Sequence, residues 1–307
     1  MLDGRESVFV ANVRTVAEYA TNGQTPQLTI GRGRRPRREL TLDNRGNLIV
    51  AYQGGNRIAV YGGRGMRRLQ TFSEHGPSAL AVDSSNNLYV MSTYHVNEYA
   101  PGASLPYATS PFRKIHAGLS NPSSIVVDAA GNLYVANRQN GLGPGISVLV
   151  FAPGSRKPDR TITDGISSPI SLALDAAGNL YVGNTRGSNK DSVTVYAAGT
   201  TTLIDTITEG ISGPKSLAFD NSGNLYVANY EQPPYSVTAY AAKTFKLMRT
   251  IKSGVDAPFA IAFDKTGNLF VANFFSSSVT RYPPNRNVPS ATITQGVSLP
   301  TGLAIQP

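Results

Sequence analysis

Short apolar runs, in which hydrophobic and polar positions alternate, recur along the whole chain between clusters of Gly, Pro, Asn and Asp. Between residues 171 and 207 they read Ser171-Leu-Ala-Leu174, Asn179-Leu-Tyr-Val182, Ser192-Val-Thr-Val-Tyr196 and Leu203-Ile-Asp-Thr-Ile207. Branched and aromatic residues in alternation, bounded by turn formers, predict β-strands. No stretch carries apolar residues at a sustained helical spacing between caps, so an all-β chain is expected. The four strands, A to D in order, form a unit that repeats.

The most regular part of the unit is an Asp, a few turn residues and the B strand. It is written at Asp43–Val50, Asp83–Val90, Asp128–Val135, Asp175–Val182, Asp220–Val227 and Asp264–Val271, with a worn copy at Asp3–Val10. From Asp43 onward the Asp residues recur every 40 to 47 positions. Four strands in such a period predict a β-propeller. The chain starts at a B strand, Val8-Phe-Val10, and stops at an A strand, Pro300-Thr-Gly-Leu-Ala-Ile-Gln306. Pairing these two orphans closes a ring and removes two open sheet edges. The expectation is one domain over residues 1–307, a seven-bladed propeller whose first blade is built from both termini.

At Leu225-Tyr-Val-Ala-Asn229, Ser236-Val-Thr-Ala-Tyr240, Thr250-Ile251, Pro258 and Gly267-Asn-Leu-Phe-Val-Ala-Asn273 the chain resembles the NHL and YVTN-type repeat propellers. The resemblance extends over nearly all of its length. It implies the seven-bladed fold and leaves function open, because such propellers serve as binding platforms, surface-layer proteins, lyases and lactonases.

Composition narrows the classes. The chain has no Cys, which excludes disulfides, thiolate metal sites and thiol nucleophiles. No apolar run reaches the 18 residues that a membrane span needs. Low charge, no Trp and abundant Ser, Thr, Asn and Gly suggest an exported protein, whether periplasmic, cell-surface or secreted. No signal peptide is read at the start, although Met1 placed directly before a worn B strand suggests that the chain has been trimmed there. The net charge of +9 is uneven, with +6 of it in residues 1–75. Arg32, Arg34, Arg35, Arg37 and Arg38 crowd the loop entering blade two, either a polyanion site or a solvated loop.

Residues that repeat in every blade belong to the scaffold. The Asp turns are explained by hydrogen bonds to the turn backbone. The Asn after each B strand (Asn12, Asn137, Asn184, Asn229, Asn273) is expected to cap the B–C turn. Small residues four and two places before the Asp, such as Ser171 and Ala173, suit crowding near the axis. Aromatics recurring on B and C strands pack between blades. Seven of the remaining aromatics share one end of the ring: Tyr52, Tyr94, Tyr230, Tyr235, Phe274 and Phe275 in B–C turns, and Phe259 at an A-strand start. They form either a recognition surface or lids over the blade tops. His75, His95 and His116, with Glu74, gather at the same end of blade three, where they could bind a divalent metal or supply a general base.

Aligning the A strands puts Arg38, Ser78, Ser123, Ile170, Lys215, Phe259 and Thr301 at the mouth of the ring. Resemblance to lactonase-like propellers implies a divalent metal held there by Asn, Asp and Glu. This chain departs from that pattern, since Glu39 is the only acid nearby, and Lys215 and Arg38 repel a cation. No metal and no cofactor is therefore expected. Nor is there a Gly-x-Ser-x-Gly elbow or a His-Glu-x-x-His motif. The sequence reads as a monomeric, non-enzymatic binding propeller, its protein, carbohydrate or polyanion partner held on the face of the B–C turns and D–A loops. One alternative is a propeller lyase or hydrolase using a blade-three histidine. A second is single-stranded nucleic acid held by the Arg loop and the aromatics.

Overall fold

The computed structural model describes residues 6–31, 38–62, 65–138, 146–185 and 191–306, with the side chain of Arg38 left aside. They form seven four-stranded antiparallel sheets, and the one helical element among them is a short turn at Gln53–Gly55. The protein is a seven-bladed β-propeller. The ring closes as the alternating pattern predicts: Ser7–Asn12 pairs with Val16–Ala20 on one edge and with Pro300–Gln306 on the other. Val8 faces Ile305 and Val10 faces Leu303 across that seam.

Hydrophobic residues pack into seven separate clusters, one between each pair of neighbouring blades. The core is therefore a ring of interfaces around the axis. Each B strand is buried along its length, because its two faces meet different neighbours. The C-strand tyrosines add a polar anchor: Tyr196 donates to the Asp164 carbonyl at 2.5 Å and Tyr282 to that of Ser253 at 2.7 Å. Each ring is thus buried with its hydroxyl satisfied.

The Asp turns follow their predicted chemistry. In blade five, Asp175 Oδ1 accepts from the Ala177 and Asn179 amides at 2.9 Å each, and Oδ2 accepts from Asn179 Nδ2 at 2.8 Å. Gly178 sits at φ +83°, where a Cβ would be strained. Where B strands carry a Tyr, its hydroxyl also reaches this Asp, as with Tyr89 and Asp83 at 3.2 Å. Blade two has Ile49 there, and Tyr107 from blade three fills the gap, its hydroxyl 3.5 Å from Asp43.

The Asn residues after the B strands require a correction. Their Oδ1 atoms accept from backbone amides of the D–A loop entering the same blade: Ser167 to Asn184, Ser212 to Asn229 and Asp256 to Asn273, each at 3.0 Å. In blades five to seven their Nδ2 groups turn inward to C-strand hydroxyls, such as Thr194 for Asn184 at 3.1 Å, while those of Asn12 and Asn137 donate to the Gly296 and Gly118 carbonyls of the D–A loop. They tie a loop to a sheet and do not simply cap a turn. The same bonds fix B–C turns and D–A loops on one end of the ring.

Candidate active site at the axial mouth

The A strands of successive blades stand side by side around the axis. In most blades the residue facing the B-strand position before the Asn is small: Ser124, Ser171, Ser216, Ala260 and Gly302, opposite Ala136, Gly183, Ala228, Ala272 and Ala11. Blade two puts Glu39 there, opposite Ala51. One ionisable side chain therefore stands in a ring of small ones.

The residues one place earlier complete the mouth. Ser78, Ser123, Ile170, Lys215, Phe259 and Thr301 line a cavity of about 250 Å³ together with Glu39, Gln53, Asn121 and Arg138. Two inner-strand hydroxyls are engaged in holding neighbouring blades together. Ser123 donates to the Pro169 carbonyl and Ser171 to that of Pro214, both at 2.6 Å. Glu39 and Lys215 come from blades two and six, three steps apart around seven, so they approach from different sides of the channel. Desolvation pushes the Glu39 carboxyl up to about 7, with the charge of Lys215 pulling the other way. The Lys215 ammonium lies 4.5 Å from the centre of the Phe259 ring. A half-buried carboxylic acid that titrates near neutrality in the field of a cation across a cleft is equipped for proton transfer.

The donor set does not suit a divalent metal. Glu39 is the one carboxylate among the described residues lining the cavity, and Lys215 and Arg138 set two positive charges against it. No step is therefore routed through such an ion. Gln53 and Asn121 do bring amides to the lining, which the alignment of A strands alone does not show.

The blade-three histidines do not assemble into a metal site. Among the described residues, no group of three or more His, Asp or Glu is placed to hold an ion. His95 Nε2 lies 3.4 Å from Glu74 Oε1, and both ring nitrogens lie 3.0 Å from Ser92 Oγ. Ser92 is itself buried and donates its amide to the His95 carbonyl at 2.8 Å, closing the turn. Glu74 also accepts from Asn97 at 2.8 Å and from the Tyr99 hydroxyl. Burial is the main cause that holds the His95 imidazole below its ordinary pKa. The His116 ring lies 5.5 Å away, tilted by 50°, and His75 is exposed. None of these residues lines the mouth cavity.

The aromatics divide. Tyr52 is buried at 3% exposure, shares a 2.9 Å hydrogen bond with the Tyr61 hydroxyl and is covered by Arg57, so it is packing and not recognition surface. Tyr94, 68% exposed, stands apart on blade three. The other five form one continuous group on blades six and seven, with Phe259 reaching the mouth. Arg32, Arg34, Arg35 and Arg37 lie outside the described residues, while Arg38 begins the blade-two A strand, paired with Tyr52.

A family model, the seven-bladed β-propeller lactonases, matches residues 179–297. That span runs from the B strand of blade five through blade seven and includes Lys215, Phe259 and the aromatic group. It corrects the expectation of a non-enzymatic binding propeller, because the matched pattern belongs to hydrolytic enzymes. It also differs from the NHL and YVTN families that the repeats resemble. No curated protein matches the chain. Among solved structures, a candidate 6-phosphogluconolactonase from Bacteroides uniformis is similar at a TM-score of 0.77 and 13% identity, covering 98% of this chain and 99% of that one. Hydrazine synthase from Kuenenia stuttgartiensis follows at 0.74 and 14%, covering 91% and 92%. A chain of the mitotic checkpoint complex gives 0.72 and 14%, covering 87% and 81%. At these identities the likeness is one of fold.

Proposed function

We propose that this protein hydrolyses a lactone, or an ester of similar reactivity, at the axial mouth. The observation that carries the reading is Glu39, a carboxyl raised to about 7 that departs from a ring of small residues. The lactonase match over the blades bearing Lys215 supports it. In its ionised form Glu39 takes a proton from water as the water oxygen attacks the lactone carbonyl carbon. Lys215 faces the oxygen on which negative charge collects. The ring C–O bond then breaks, and the proton held by Glu39 passes to the departing alkoxide, leaving a hydroxy acid. A group with a pKa near 7 can take that proton and return it. The same class of reaction run from His95 is less well placed, since that imidazole lies outside the cavity.

The test is pH-stat hydrolysis of δ-valerolactone and glucono-δ-lactone. Turnover is expected for the wild type, with Glu39→Gln lowering kcat about 10²- to 10⁴-fold, the usual range for a lost general base. Turnover that is indifferent to Glu39→Gln, or absent on every lactone tried, refutes the assignment.

A further inference from the structure

We propose that the aromatic group on blades six and seven is the subsite for an apolar tail, alkyl or aryl, carried by the lactone substrate. This rests on hydrolysis at the mouth and adds the substrate class. The group begins inside the cavity lining, at Phe259. From there the rings continue without a gap: Tyr230 at 5.5 Å and Phe274 at 5.6 Å from Phe259, Phe275 at 5.7 Å from Phe274, and Tyr235 at 6.1 Å from Phe275. Phe275, next to last in the row, is 56% exposed. Half-buried rings on a loop-built face, with an exposed patch at Phe275 and continuous with a catalytic cleft, favour apolar contact with a ligand.

The geometry distinguishes a tail from a flat ligand. The interplanar angles run from 32° to 85°, so the rings present edges and faces in turn. They make a continuous apolar wall and not a level shelf on which a sugar or base would stack. The wall is held in place by its backbone. Tyr230 N donates to the Gly213 carbonyl at 3.1 Å and Phe274 N to that of Ala257 at 3.0 Å. Lys215, over the face of Phe259, marks where charge gives way to hydrocarbon. An amphiphilic lactone fits that boundary, its carbonyl toward Lys215 and Glu39 and its tail along the rings.

The experiment compares kcat/KM for δ-valerolactone and δ-dodecalactone, which share a ring and differ by a heptyl tail. Wild type is expected to favour the tailed lactone at least tenfold. Tyr235→Ala with Phe275→Ala should reduce that ratio about tenfold, and Phe275→Ser alone, at an exposed ring, should reduce it severalfold without unfolding the protein. In parallel, 6-heptylpiperidin-2-one, an unreactive lactam with the same tail, is titrated by calorimetry. Wild type should bind it, and the double variant about tenfold more weakly. Equal kcat/KM for the two lactones, or lactam binding absent or unchanged in the variants, overturns the subsite even if hydrolysis at Glu39 stands. Lactam binding lost in the variants, without turnover of either lactone, supports the subsite and refutes the hydrolase.

Discussion

Burial costs the Glu39 carboxylate more than Lys215 returns, and the balance depends on pH. Its carboxyl is raised from 4.5 to about 7, so the folded protein holds this proton more tightly than the unfolded chain does. Stability from this group is complete below about 4.5 and is lost as pH rises through about 7. Glu39→Gln is therefore expected to equal the wild type at pH 4 and to exceed it at pH 8 by roughly 1–3 kcal/mol. Urea denaturation at the two pH values tests this without reference to activity, and equal stabilities at pH 8 would count against burial as the cause. Lys215 acts in the opposite sense. Lys215→Met should move the ascending limb of the pH–rate profile to higher pH, because the cation that favours the carboxylate is gone. Glu39 was visible in the sequence as the nearest acid, yet its importance was not. Small residues four places before the Asp read as crowding, and the exception at blade two is masked once that position is set aside as scaffold. In blades four to seven the pairing slips between the Pro and the residue two places on. Both residues after the Pro consequently line the channel, a consequence of backbone register that a side-chain pattern does not carry.

At the level of strands and turns, the repeat encodes its own connections. The Asp turn could be read directly because donor and acceptor lie within four residues. The Asn could not, because its acceptor oxygen serves an amide 17 residues earlier, as from Asn184 to Ser167. Asn184→Ala removes that tether and leaves the Thr194 hydroxyl short of a buried partner. A loss of about 1–3 kcal/mol is expected from the unsatisfied groups, measured as a fall in the denaturation midpoint. A change below about 0.5 kcal/mol would mean that the D–A loop is held by other contacts. Alternation also placed the aromatics correctly on one end of the ring but could not separate Tyr52 from the rest. Its hydroxyl partner, Tyr61, lies across a hairpin on the C strand, so burial there depends on which way one B–C turn folds.

For the molecule as a whole, the closing strand is the feature most fully legible in advance, the pairing of the last A strand with Val8–Val10; the register, Val8 opposite Ile305, comes from the structure. Deleting residues 300–306 would leave one edge of Ser7–Asn12 unpaired and uncover the cluster that includes Val8, Val10 and Phe270. Lower melting temperature and aggregation are expected, measured by calorimetry and light scattering; an unchanged melting temperature would show that the seam contributes nothing. The channel has its own consequence. A ring of near-identical blades offers an entering molecule seven equivalent ways to lie, since the backbone looks the same after each turn about the axis. Glu39 and Lys215, set on blades three steps apart, abolish that equivalence with a single electric axis drawn across the opening. A polar guest would then have one orientation in place of seven, chosen by the few charged side chains of the lining, Arg138 among them, while the repeating backbone stays indifferent to it.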